Sequence, residues 1–226
     1  MDENRLTADV LLAITDASTG APVIDSAHLR PLLAGTAITE LVLRGALTLT
    51  QGGRFGVGRV PMPVDARWTD VVQRALGRTP TSAITRVAGS AAWRDRTLAL
   101  RAAAAEDLAV RGVARDASTW VFGILPRRRL EILRPDDRIR LLARVHEVLA
   151  TDRGTRHDHA VASMLAAGGT LRTLFPQSNR RWIEHRGTGV TQGEWAGSGL
   201  RLTIREVLVA EAAAVWTAAA STVASA

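Results

Sequence analysis

Arginine is the residue type best placed to do chemistry in this chain. All 29 basic residues are arginine, against 22 acidic ones, giving a formal net charge of +7. A guanidinium stays charged at any physiological pH and offers a planar fork of donors that matches phosphate oxygens. Such an excess points to phosphate-bearing partners, whether nucleic acid, nucleotide or anionic lipid, beside the plainer reading of a solvated basic surface. Two clusters stand out. Arg94, Arg96 and Arg101 fall on one expected helix, and Arg127, Arg128 and Arg129 follow the run Trp120-Val121-Phe122-Gly123-Ile124-Leu125. An apolar tip beside arginines suits a membrane surface, where the aromatic side chain enters the interface and the arginines hold headgroups. On the residues alone, the favoured reading of Trp120 and Phe122 is as core residues of a hairpin face.

Other chemistries find little support. There is no cysteine, which removes disulfides, thiolate zinc sites and cysteine nucleophiles. His157-Asp158-His159 would share one face on a strand and could bind a metal. On a helix the two imidazoles point about 200° apart, so they read as exposed polar residues at a helix start. A serine hydrolase needs G-x-S-x-G with a histidine after it; Gly197-Ser198-Gly199 lacks the motif and no histidine follows. A Walker loop needs a lysine, and the glycines of Gly52-Gly53-Arg54-Phe55-Gly56-Val57-Gly58 lie within a hairpin. Asp136-Asp137 is a helix start. No recognition-helix or stacking-sheet motif suggests nucleic acid. The sequence therefore predicts no enzyme, no cofactor and no metal site.

The elements that must position the arginines are mostly helical. Leu29, Leu32, Leu33, Ala37, Ile38, Leu41 and Val42, spaced by three and four, predict a helix over 28–43 that stops at Gly45. Leu47-Thr48-Leu49-Thr50 and Arg54 to Val60 around a double glycine predict a hairpin. Helices are expected over 65–76, with Trp68, Val71, Val72 and Leu76 inward, and over 90–110, stopped by Gly112. Further helices are expected over 135–151, 157–167, 171–175, 180–186 and 198–221. The last should bury Leu200, Ile204, Val207, Leu208, Ala212, Val215 and Trp216. The segment after Gly112 reads as a second hairpin. No strand–helix alternation recurs, so a parallel sheet is not expected. The expected architecture is mainly α: a compact single-domain helical bundle over 1–226 with small peripheral β-hairpins. The acidic start Met1-Asp2-Glu3-Asn4-Arg5 carries no secretory leader, and no segment reads as a membrane span, which places the expected chain in the cytoplasm.

Several segments, in order, resemble a known family. Leu33-Ala34-Gly35-Thr36-Ala37-Ile38-Thr39-Glu40-Leu41-Val42-Leu43-Arg44-Gly45 resembles the "aGa-l-ELaLRGr" signature of the Golgi phosphoprotein 3 family, which includes bacterial, actinobacterial-type members. Ala8 to Thr15 looks like its leucine-rich opening run, Gly20-Ala21-Pro22-Val23 like its turn, and Asp107 to Val113 like its "LverGvL" helix end. Gly123-Ile124-Leu125-Pro126-Arg127 is similar to "lGlfPrtr", and Leu174-Phe175-Pro176 with Arg180-Arg181 to "lFp…rr". The likeness covers nearly the whole chain. It implies a compact helical domain with hairpins at its rim. It also implies the role of the eukaryotic members, non-enzymatic adaptors that bind phosphatidylinositol-4-phosphate at Golgi membranes and retain glycosyltransferases there.

The family's headgroup pocket uses a tryptophan, an arginine in the signature helix and two arginines three apart on a later helix. Here the tryptophan position falls at Ile24 or Asp25. The first arginine falls at Ala34, with Arg30 one turn earlier as a partial substitute, and the later pair falls at Leu98 and Arg101. The membrane hairpin corresponds to 120–125. The resemblance thus implies a peripheral protein on the inner face of the membrane that binds anionic, phosphoinositide-like headgroups with altered specificity. The expected contacts are Arg101, Arg94, Arg30, Arg127, Arg128 and Arg129, with Trp120 and Phe122 at the interface. Protein partners follow from the adaptor role, and an oligomer is compatible with it. The competing expectation is a soluble regulatory or protein-interaction protein that binds no lipid.

Overall fold

The computed structural model describes residues 5–60, 66–89, 95–117, 119–121, 125–127, 129–196 and 201–223, with the backbone alone at 66, 67, 119–121, 125–127, 201, 202 and 218–223. Helix α1, Leu6–Ile14, is buried at every residue. Apart from Thr7 and Asp9, which find polar partners on other helices, its residues are apolar on every side, and such a helix must sit inside a protein. It ends in a turn built by Asp16, whose Oδ1 accepts from the backbone N–H groups of Ser18 (3.0 Å) and Thr19 (2.8 Å) and from both hydroxyls. The Ser18 hydroxyl, followed by the Thr19 amide, stabilises the carboxylate and holds its pKa at about 2.

Helix α2, Ser26–Leu43, is the centre of the bundle. Asp25 caps it by accepting from His28 N–H at 2.9 Å. The seven apolar positions that predicted the helix are all buried, and Gly45 (φ +73°) turns the chain out of it. Strands β1, Leu47–Leu49, and β2, Phe55–Val57, then pair antiparallel with Leu49 opposite Phe55, as the double glycine predicted.

Helix α3, Ala66–Ala75, buries Val71 and Val72 and packs Trp68 against the core. Helix α4, Pro80–Ala88, was not anticipated. Its Thr79-Pro80 start is an N-cap/N1 pair, and Ala83, Ile84 and Val87 are buried. The helix expected over 90–110 is shorter: α5 is Thr97–Val110. Asp95 Oδ1 accepts from Thr97 N–H (2.9 Å) and its hydroxyl (2.6 Å), setting the start at Thr97, while 90–94 lie outside the described residues.

The second hairpin exists as two stacked ladders. β3, Ala114–Asp116, pairs with β6, Leu130–Ile132, and further out β4, Thr119–Val121, pairs with β5, Leu125–Arg127, all antiparallel. Helices α6 (Pro135–Thr151), α7 (Arg156–Ala167), α8 (Leu171–Leu174) and α9 (Arg180–Val190) follow, then a 3-10 turn (Glu194–Ala196) and α10 (Arg201–Val223). α9 runs past the expected Arg186 through two glycines.

Helices α1, α3, α4, α5, α7 and α10 all pack on α2. Among the described residues the strands form three two-stranded antiparallel ladders, so the mainly-α expectation stands. α10 buries Ile204, Val207, Leu208 and Val215 as predicted, and Leu200 lies outside the described residues. Trp216 corrects the reading: it is 77% exposed. Each helical residue turns about 100°, so Trp216 falls one step past the buried line 204–207/208–211–215. That line contains Glu211, fully buried among apolar neighbours.

Candidate functional site

The signature residues on α2 serve the fold first. Glu40 is buried and accepts from the Thr7 backbone N–H (3.0 Å) and hydroxyl (2.7 Å), which fastens the first turn of α1 to α2. Arg44, one turn on, forms an ion pair with Glu40, and its guanidinium carbon lies 4.8 Å from the Trp68 ring centroid. Burial pushes the Glu40 carboxyl up, and the Arg44 charge and the Thr7 bonds only partly offset it.

The positions corresponding to the family pocket fall on α2 and α5, which pack together. Arg101 is half-buried on α5, one turn after Leu98, which is 39% exposed. On α2, Ala34 is completely buried. Arg30 is half-buried and donates from Nε to the Ser26 carbonyl (3.2 Å), so it folds back along its own helix, away from Ala34. Ile24 packs against the core, and Asp25 is the α2 cap. Trp120 lies in β4 opposite Pro126, and Arg127 in β5 opposite Thr119, both with side chains outside the described residues. Arg94, Phe122 and Arg128 lie outside the described residues altogether. Arg129 is half-buried, and its buried Nε has no hydrogen-bond partner among the described residues.

His157-Asp158-His159 is not an exposed polar run, which corrects the sequence reading. Asp158 and His159 are buried and His157 nearly so. The two imidazoles do diverge, as helical spacing requires. His157 Nε2 meets Asp9 Oδ2 on α1 at 2.8 Å, while His159 stacks on Trp195 with ring centroids 6.3 Å apart. Asp158 completes a capping box with Thr155 and accepts from Arg144 Nε at 2.9 Å.

Asp9 belongs to a cleft that the sequence reading missed. About 310 Å³ of space is lined by Asp9, Leu12, Arg111, Val113, Arg134, Asp137, Arg140, Leu141 and Arg144. Arg111, the C-cap of α5, donates to Asp9 Oδ1 at 2.7 Å. Burial raises the Asp9 carboxyl, but the hydrogen bonds from His157 and Arg111 and their charges outweigh it, so its pKa lies below the ordinary 3.8. Arg134 is the N-cap of α6; Asp137, Arg140, Leu141 and Arg144 continue one face of that helix at spacings of three and four. Gly112 (φ +66°) lets the chain turn out of α5. A Cβ there would lie 3.4 Å from an Arg134 Nη2. The α6 spacing was visible in sequence; the arrival of Arg111 and Asp9 was not. A wider cavity of about 690 Å³ lies between α7 and α9, lined in part by His159, His185, Arg186 and Trp195.

A helical bundle around a buried signature helix, with hairpins at its rim, is the architecture the sequence suggested. The family model for Golgi phosphoprotein 3 (GPP34) matches residues 6–207, so the chain belongs to that family. It is not known as an enzyme family. A search of curated proteins returns no match. Among the described residues, no helix is long and apolar enough to cross a membrane.

Proposed function

We propose that this chain, acting as one domain over 1–226, is a non-enzymatic peripheral membrane adaptor on the inner face of the membrane that binds anionic phospholipid headgroups with low selectivity. The observation that carries the reading is family membership across 6–207 together with Arg101, kept at a family headgroup position near the start of α5. Ala34, buried, and Leu98 stand where two other pocket arginines would be, so selection of one phosphoinositide is not expected. Attraction then rests on Arg101, Arg94 and Arg30 with Arg127 to Arg129, and on Trp120 and Phe122 as apolar anchors at the hairpin.

Sedimentation with phosphatidylcholine vesicles, with and without phosphatidylglycerol, tests this. The full chain should pellet with anionic vesicles at low salt and release as salt rises, because diffuse attraction is screened over about 8–10 Å at physiological ionic strength. Replacing Arg127, Arg128 and Arg129 together by alanine should release it at lower salt with helix content unchanged. Failure of the wild type to pellet at low salt leaves the second reading, a soluble protein-interaction module. The core packing of Ile24 and the burial of Ala34 already favour that reading over a faithful headgroup pocket.

A further inference from the structure

We infer that the arginine cleft between α1, the end of α5 and the start of α6 is a binding site for a phosphate group, separate from the positions that correspond to the family pocket. Four of its nine lining residues are arginine, drawn from two helix ends and one helix face. Even with Asp9, Asp137 and Asp158 counted against them, the guanidiniums are in excess.

The carboxylates orient the arginines rather than consume them. Asp9 takes Nη1 of Arg111, Asp137 pairs with Arg140, and Asp158 takes Nε of Arg144. Among the described residues the terminal Nη1 and Nη2 of Arg144 make no hydrogen bond, and the Arg134 guanidinium has neither an acid nor a carbonyl partner. A charged fork held along one edge keeps its remaining donors in place, which lowers the entropy lost on binding an anion. The acidic first turn, Asp136 and Asp137, already answers the positive end of α6, so the attraction rests on the side chains.

The volume, about 310 Å³, is at the small end of ligand sites, roughly 300–1,000 Å³. Leu12, Val113 and Leu141 are its apolar lining; among the described residues no aromatic side chain lines it to stack a base. The geometry therefore suits one or two phosphate groups carried by a small polar molecule. These could belong to a lipid headgroup or to a free phosphate ester.

The test is calorimetric titration of the full chain with inorganic pyrophosphate at low salt. We expect saturable binding at one site per chain. Arg134→Ala should weaken it about tenfold, as loss of one charge-assisted contact implies, and Arg134→Ala with Arg140→Ala should weaken it further. Arg180→Ala, which removes a pair with Glu184 on α9, should leave it unchanged. The inference is overturned if the wild type shows no saturation, if Arg134→Ala keeps wild-type affinity, or if Arg180→Ala loses as much as Arg134→Ala. Among the described residues the Arg134 side chain has no hydrogen-bond or ion-pair partner to lose, so that variant is expected to fold even if the double variant does not.

Vesicle sedimentation separates the two sources. Pyrophosphate that displaces the chain from anionic vesicles assigns the cleft to a headgroup. Undiminished pelleting at saturating pyrophosphate assigns it to a soluble phosphate ester. A chain that binds pyrophosphate and ignores vesicles keeps the cleft and removes the lipid reading.

Discussion

Asp9 holds two helices and a histidine with one carboxylate. Its oxygens meet Arg111 at the end of α5 and His157 at the start of α7, both at under 3 Å, while only 7% of the residue is exposed. Breaking a buried pair leaves an uncompensated charge, so Asp9→Asn should cost about 3 kcal/mol in urea unfolding at neutral pH. The same residue predicts a pH effect. Its folded pKa lies below 3.8, so the unfolded chain takes up the proton first. Its stabilisation is complete above that value and drains as pH falls below it. The acid slope of stability should therefore be shallower in Asp9→Asn, and an unchanged slope would remove Asp9 from the account.

Glu211 has the opposite sign. It is fully buried, neither oxygen has a hydrogen-bond partner among the described residues, and burial pushes its pKa well above 4.5. The folded state keeps the proton, so this contribution is intact below 4.5 and is lost as pH rises toward the folded value. Glu211→Gln should stabilise the chain at neutral pH by roughly 2 kcal/mol and match the wild type near pH 4, read by thermal unfolding across that range.

At the scale of elements, the decisive contact is α10 against α2. Gly35 permits it. A Cβ at that position would sit 2.6 Å from Glu211 Oε2, closer than real carbon–oxygen contacts. Gly35→Ala should cost about 1–3 kcal/mol by overpacking. Because the collision is with the Glu211 side chain, Glu211→Ala should relieve it, and the double-mutant cycle should show a coupling above 0.5 kcal/mol in magnitude. Additive effects would place the strain of Gly35→Ala elsewhere. Trp216, on the solvent side of the same helix, gives the contrast: Trp216→Ser should change stability by less than about 0.5 kcal/mol.

At the scale of the whole molecule, charge is distributed unevenly. The α6 face and the end of α5 gather arginines around one concave cleft. The family headgroup positions on α2 and α5 are left with Arg30 and Arg101 beside apolar Ala34 and Leu98. The two regions should therefore respond differently to salt. Vesicle binding through scattered arginines should fall steeply as ions screen it. Pyrophosphate held by hydrogen bonds inside a cleft should fall less, because partly buried pairs are screened less. Measuring both against salt on one preparation checks this; identical slopes would mean a single diffuse surface accounts for both.

Periodicity by itself determined most of the helices and their inward faces. A helix that packs on α2 must repeat apolar residues at three and four, and that pattern is local. It also gave both hairpins, because a double glycine or a glycine stop beside β-prone runs admits few other conformations. The signature segment identified the family without any coordinates. What sequence could not give depends on residues far apart in the chain. α4 was hidden because its Thr79-Pro80 start reads as punctuation, and nine residues are too few to show a periodic face clearly. The histidines were expected at the surface because nothing local reveals that Asp9, 148 residues away, receives His157. The cleft was half legible, in the spacing of Arg134, Asp137, Arg140 and Arg144. It becomes a site only when α1 brings Asp9 and α5 ends at Arg111, since charges focus on an anion when tertiary packing makes them converge.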